Sequence, residues 1–115
     1  MEKAFLERID TVFLRVPNLE QTLAWYLEHF GFSVKWRTDV IATLQVGGTT
    51  PITLVQQDTV AEEYPLFNFY TEDIEDAHAQ MTSAGIRTTP IRDYGTVQLF
   101  DFWDEDGHVS NVCHY

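Results

Sequence analysis

Sulfur chemistry is almost absent from this chain. Cys113 is its only cysteine, so no disulfide can form within it and no cysteine pair with zinc-finger spacing exists. Basic residues are also few: 7 Lys plus Arg stand against 18 Asp plus Glu, a formal net charge of −11. A field of that sign repels phosphate backbones and anionic membrane surfaces, so neither nucleic acid nor a membrane is an expected partner. The acidity serves solubility or the attraction of a cationic ligand. No apolar run approaches the roughly 18 to 20 residues that cross a bilayer, and residues 1–8 are charged where a signal peptide would carry its apolar core. The expected location is the cytoplasm. Only 6 Gly and 4 Pro beside 44% hydrophobic residues exclude collagen, low complexity and disorder. A chain of 115 residues can form one domain, 1–115, with a core of its own.

From Ile9 to Val16, Val12, Leu14 and Val16 alternate with Thr11, Phe13 and Arg15, the period of a strand. Pro17 stops that ladder, and Asn18 with Gln21 three residues on reads as a helix N-cap. Leu19, Leu23, Tyr26, Leu27 and Phe30 then mark one face of a helix that Gly31 ends. Strands are expected at Phe32 to Arg37, Ile41 to Val46 and Ile52 to Gln57. A polar connector, Asp58 to Pro65, follows. The pattern then restarts with a strand at Leu66 to Tyr70 and a helix capped by Asp73, its inner face being Ile74, Ala77, Met81 and Ala84 and its end Gly85. Ile86 to Ile91, Gly95 to Trp103 and His108 to Tyr115 complete it as strands, the last two joined through Asp104-Glu105-Asp106-Gly107.

An offset of about 55 residues relates Thr11 to Leu66, Asn18 to Asp73, Gly31 to Gly85 and Gln56 to Asn111. The sequence therefore reads as an α+β fold of two βαβββ modules, 9–57 and 66–115. A half of that size cannot close a core alone, so the two are expected to share one sheet system.

These residues resemble the vicinal oxygen chelate superfamily of glyoxalase I, bleomycin resistance proteins, fosfomycin-modifying enzymes and extradiol dioxygenases. The resemblance spans about residues 9–113. It rests on the run from Ile9 to Leu19, on Leu23-Ala24-Trp25-Tyr26 with His29-Phe30-Gly31-Phe32, and on Phe102-Trp103-Asp104-Glu105-Asp106-Gly107-His108. The last run is similar to the family's aromatic-x-Asp-Pro-Asp-Gly-Asn, with Glu105 for Pro and His108 for Asn.

The resemblance implies a metal cleft whose ligand positions fall here on Thr11, Gln56, Leu66 and Asn111. A catalytic metal takes imidazole or carboxylate ligands, and these four offer neither. A slip of one residue brings in at most the carboxylate of Asp10. His29 and His78 lie within the helices, His108 at the turn and His114 at the last strand's end. The expectation is no metal and no cofactor.

Strand alternation turns Ile9, Thr11, Phe13 and Arg15, then Leu66, Asn68 and Tyr70, then Val109, Asn111 and Cys113 into the cleft, an apolar cup with a few amides and hydroxyls. Trp36 and Trp103 are aromatic candidates beside it, and Asp101 is a carboxylate inside an apolar run that either faces water or meets a cation. The leading expectation is metal-independent binding or sequestration of a small organic molecule with possible cationic character, by a protein that resemblance implies is a homodimer and with no catalytic residue named. The rival readings are a metal-dependent lyase, glutathione transferase or dioxygenase of this family, and an interaction domain with a vestigial cleft.

Overall fold

The computed structural model describes residues 5–59 and 63–115. Residues 60–62 of the expected connector and residues 1–4 lie outside the described residues. The chain divides into two compact units, residues 11–62 and residues 1–10 with 63–115. Both are α+β and both follow the βαβββ order.

In the first half, β1 (Arg8–Val16) runs parallel to β4 (Ile52–Gln56), which pairs antiparallel with β3 (Ile41–Gln45), which pairs antiparallel with β2 (Ser33–Arg37). A parallel pair needs a crossover, and α1 (Leu19–Phe30) supplies it. Asn18, extended at φ −140°, accepts from the Gln21 N–H at 3.1 Å, and Gly31 closes the helix in the left-handed region at φ 68°. Leu19 and Leu23 pack on Val16, Ala42, Leu44 and Leu54, with Ile52, Tyr26 and Leu27 around them. Phe30, expected on the inner face, is instead exposed, in ring contact with Trp25 and Phe32. It sits in the last turn, where the helix has run past the sheet residues that Leu19 and Leu23 cover.

The second half repeats this plan. β5 (Phe67–Tyr70) runs parallel to β8 (Val109–His114), which pairs with β7 (Gln98–Trp103), which pairs with the short β6 (Arg92–Asp93). The crossover is α2 (Ile74–Ser83), capped by Asp73, which accepts from the Asp76 N–H at 3.0 Å. Ile74, Ala77 and Met81 pack against Phe100 and Val112. Ala84 is exposed because the helix stops at Ser83. The strand expected at Ile86 to Ile91 is absent: Thr88 makes one isolated bridge to Phe102, and the regular ladder begins only at Arg92. Pro90 has no N–H to give to a ladder, which explains the delay. Leu66 also falls outside β5 and is 75% exposed.

Removing the cap of α1 leaves a first-turn N–H unpaired, so Asn18→Ala should lower stability by about 0.5–2 kcal/mol, read as an earlier urea midpoint at unchanged slope.

Candidate functional site

Register decides which side chains share a face. In the first half Phe13 pairs with Thr53 and Thr43 with Thr53, so Thr11, Phe13, Arg15, Thr43 and Thr53 lie on the face turned away from α1. Trp36 pairs with Thr43 and joins that face on the outer strand, 49% exposed. At its centre is a closed row of hydroxyls. Thr11 Oγ1 donates to the Pro51 carbonyl at 3.0 Å, Thr53 Oγ1 lies 2.7 Å from Thr11 Oγ1, and Thr43 Oγ1 lies 2.8 Å from Thr53 Oγ1. With Thr11 donating to Pro51, Thr53 donates to Thr11 and Thr43 to Thr53, so each proton has an oxygen. All three threonines are buried.

Gln56 plays a different part from the one expected. By alternation it shares the helix-facing side with Ile52 and Leu54, and its Oε1 accepts from the Leu19 N–H at 3.2 Å, adding a second cap to α1. The register also corrects the repeat. Phe13 with Thr53 matches Asn68 with Asn111, and Thr43 with Thr53 matches Asp101 with Asn111. The counterpart of Asn111 is therefore Thr53. β4 and β8 are offset by three residues more than β1 and β5, a difference that a constant offset conceals.

In the second half Asn68 and Tyr70 of β5, Val109, Asn111 and Cys113 of β8, and Leu99, Asp101 and Trp103 of β7 share the face turned away from α2. Here the expected residues do come together. Asn68 Nδ2 donates to Cys113 Sγ at 3.7 Å, and Asp101 lies beside Asn111 in the ladder. Asn111 Oδ1 is buried with no hydrogen-bond partner.

Sequence reasoning named Arg15 but missed Arg8, Arg87 and Arg92. Arg92 holds Asp101 at 2.7 Å, Arg87 stacks its guanidinium 3.9 Å from the centre of the Trp103 ring, and Arg8 lies 3.9 Å over Tyr70. Arg8 also donates to the Tyr115 hydroxyl at 3.0 Å, and that hydroxyl donates to Asp10 at 2.6 Å. Asp10 thus meets residues of the second half, and Ile9 is exposed. The aromatic and acidic groups that could meet a cationic ligand, Trp103 and Asp101, already carry the chain's own guanidiniums, as does Tyr70. Only a β6–β7 register could have shown that Arg92, next to Leu99, reaches Asp101.

Burial, and then the Asp10 carboxylate beside it, pushes the Cys113 thiol up to about 12. Burial and the bond to Asp10 likewise raise the Tyr115 hydroxyl above its ordinary value.

The residues at the four expected ligand positions do not fit a divalent metal. Thr11 is tied into the hydroxyl row, Gln56 caps a helix, Leu66 has no ligating atom and Asn111 offers one neutral amide oxygen. Among the described residues, ligand atoms of Asp104, Asp106 and His108 lie within 4.8 Å of one another, all exposed. They build the turn between β7 and β8. Asp104 Oδ1 accepts from the Asp106 and His108 N–H groups at 2.9 Å each, and Oδ2 meets His108 Nδ1 at 2.9 Å. Those bonds, the His108 N–H first, hold the Asp104 carboxyl below the usual range. At the start of α2, a groove of about 240 Å³ is lined by Phe5, Glu7, Thr71 and Glu72 with Asp73, Asp76 and Gln80. Its Asp73 is the helix cap, and Asp76 accepts from Gln80.

Two outcomes are expected. Thr53→Val, which keeps the shape and breaks the hydroxyl row, should lower stability by about 1–3 kcal/mol in urea denaturation. Native Cys113 should resist iodoacetamide at about pH 8 and react once unfolded. The unfolded thiol ionises near its ordinary value of 9.0 and the native thiol only at about 12. The stability this thiol contributes is therefore full below the first value and is lost as pH rises toward the second.

Comparison places this geometry among known proteins. No curated protein matches the sequence. Among solved structures, methylmalonyl-CoA epimerase from Mycobacterium tuberculosis is similar at a TM-score of 0.77 and 16% identity, over 99% of this chain and 91% of that one. Streptomyces coelicolor methylmalonyl-CoA epimerase, solved as a variant in complex with 2-nitronate-propionyl-CoA, aligns at 0.76 and 19% identity over 95% and 97%. A hypothetical protein from Bacillus halodurans C-125 aligns at 0.74 and 15% identity over 94% of each chain. At such identities the likeness is one of fold. Among the described residues no helix is long and apolar enough to cross a membrane. The sequence profile of the Glyoxalase/Bleomycin resistance protein/Dioxygenase superfamily matches residues 8–112, and the chain belongs to that superfamily.

Proposed function

We propose that this chain binds a small organic molecule on the helix-free face of its second half, by burial and hydrogen bonds, without a divalent metal held by its side chains. The observation that carries this reading is the Asn111 amide oxygen, buried and unpartnered. Leaving such an acceptor unpaired costs about 1–3 kcal/mol, and a ligand that draws the amide outward and donates to this oxygen removes the cost. Tyr70, Trp103 and Leu99 supply apolar surface on the same face, and Asn68 and Asp101 flank the amide. In this reading the first-half residues Thr11, Phe13, Arg15 and Trp36 act with the same domain, whose modules are 9–57 and 66–115, and the protein works as a cytoplasmic homodimer.

A second reading is an enzyme of the superfamily. The bound 2-nitronate-propionyl-CoA of the Streptomyces coelicolor epimerase favours it, and a CoA ester would then be the substrate class. One experiment separates the two. Thermal unfolding is followed with manganese, cobalt, nickel and zinc ions, with propionyl-CoA, and with a panel of small acids, amines and alcohols. The proposal expects a rise in Tm with an organic compound that is lost in Asn111→Ala and is insensitive to added metal. Tight binding of about one metal ion per chain, or metal-dependent exchange of the α-hydrogens of propionyl-CoA with deuterium from solvent, overturns it and puts the enzyme first.

A further inference from the structure

Of the nine Asp and three Asn in this chain, only Asp106 is followed by a glycine. At each of the others the next residue carries a side chain that crowds the peptide nitrogen between them. Gly107 carries none. Apart from its two chain neighbours, no atom lies within 4 Å of where its Cβ would stand.

Asp106 and Gly107 form the tip of the turn between β7 and β8, and residues 104–108 are all exposed. The Asp106 side chain is folded back over this turn. One of its carboxylate oxygens, one of Asp104 and a ring nitrogen of His108 lie within 4.8 Å of one another. Gly107 stands between Asp106 and His108 in the chain, so a side chain directed at His108 leans over the Gly107 peptide. The turn itself is held by Asp104. Its Oδ1 accepts from the Asp106 and His108 N–H groups at 2.9 Å each, and its carbonyl accepts from the Gly107 N–H at 3.1 Å.

We propose that Asp106 is a modification site, at which the chain isomerises itself to isoaspartate. The Gly107 nitrogen attacks the protonated Asp106 carboxyl carbon. A C–N bond forms, the carboxyl C–OH bond breaks, and the hydroxyl leaves with the nitrogen's proton as one water. The product is a five-membered succinimide. Water then opens the ring. Cleavage of the new bond restores aspartate, and cleavage between the Asp106 backbone carbonyl carbon and Gly107 gives isoaspartate of unchanged mass. The backbone then runs through the side chain and is longer by one methylene between Trp103 and Val109, the last pair of the β7–β8 ladder. Closing the ring removes the Gly107 N–H, so its bond to Asp104 must first break. The grip of Asp104 therefore sets the pace.

Ageing the whole chain in neutral buffer, with peptide mapping over time, tests this. A species lighter by one water should appear, followed by loss of cleavage before Asp106 by a protease specific for aspartate, while cleavage before Asp104 persists. Fragmentation spectra should place isoaspartate at 106. Asp106→Glu, which would need a six-membered ring, should lose the product. Asp106→Asn should reach the same isoaspartate sooner, through loss of ammonia. Asp104→Ala should convert several-fold faster than the wild type, with circular dichroism showing that each variant is folded. An unmodified wild type, at a time when the urea-unfolded chain has converted, overturns the proposal. So does an Asp106→Asn chain that stays intact, or isoaspartate spread evenly over the other aspartates. An unchanged rate in Asp104→Ala overturns the role given to Asp104.

Discussion

In each half the first strand lies parallel to the last, and a parallel pair cannot be joined by a tight turn. The chain must cross over, and it does so through one helix per half, which covers one side of the sheet and leaves the other bare. The placement of the polar side chains follows from that asymmetry. Leu19, Leu23, Ala42, Leu44 and Leu54 collect on the covered side of the first half, and Ile74, Ala77, Met81, Phe100 and Val112 on that of the second. The polar residues of the same strands are thereby sent to the bare side by the two-residue period of the strand. The hydroxyl row and the placement of Asn111 are products of the crossover as much as of their own side chains.

Much of the fold was legible in the sequence because its signals are local. Asn18 and Asp73 cap the two helices as their side chains suggest, and the alternation of Thr11, Phe13 and Arg15 with Val12, Leu14 and Val16 separates the two faces of β1. The repeat was legible for the same reason, as a recurrence of caps and strands. What failed were positions governed by register. Gln56 was matched to Asn111 by a constant offset, whereas the ladders make Thr53 its counterpart. The strand expected at Ile86 to Ile91 was lost because apolar alternation does not reveal where a ladder with β7 begins.

The candidate site was legible in part. Asn68, Tyr70, Asp101, Trp103 and Asn111 share a face as alternation implied, but Leu66 leaves the strand and Gln56 turns to a helix. Arg8, Arg87 and Arg92 were invisible because long side chains find partners far from their own place in the sequence. Arg8 and Tyr115 lie at opposite ends of the chain and still share a hydrogen bond. That absence mattered chemically, since Trp103 and Asp101 look like cation receptors until Arg87 and Arg92 are seen to occupy them.

The closed row of threonines has a wider consequence. A protein assembled from two copies of one plan can treat the same position as mortar in one copy and as a doorway in the other. Thr53, sealed between Thr11 and Thr43, ties three strands together whatever the surroundings contain. With one copy holding itself shut, the other is released from that duty. The position of Asn111 is then free to change, while its counterpart keeps its own three strands together.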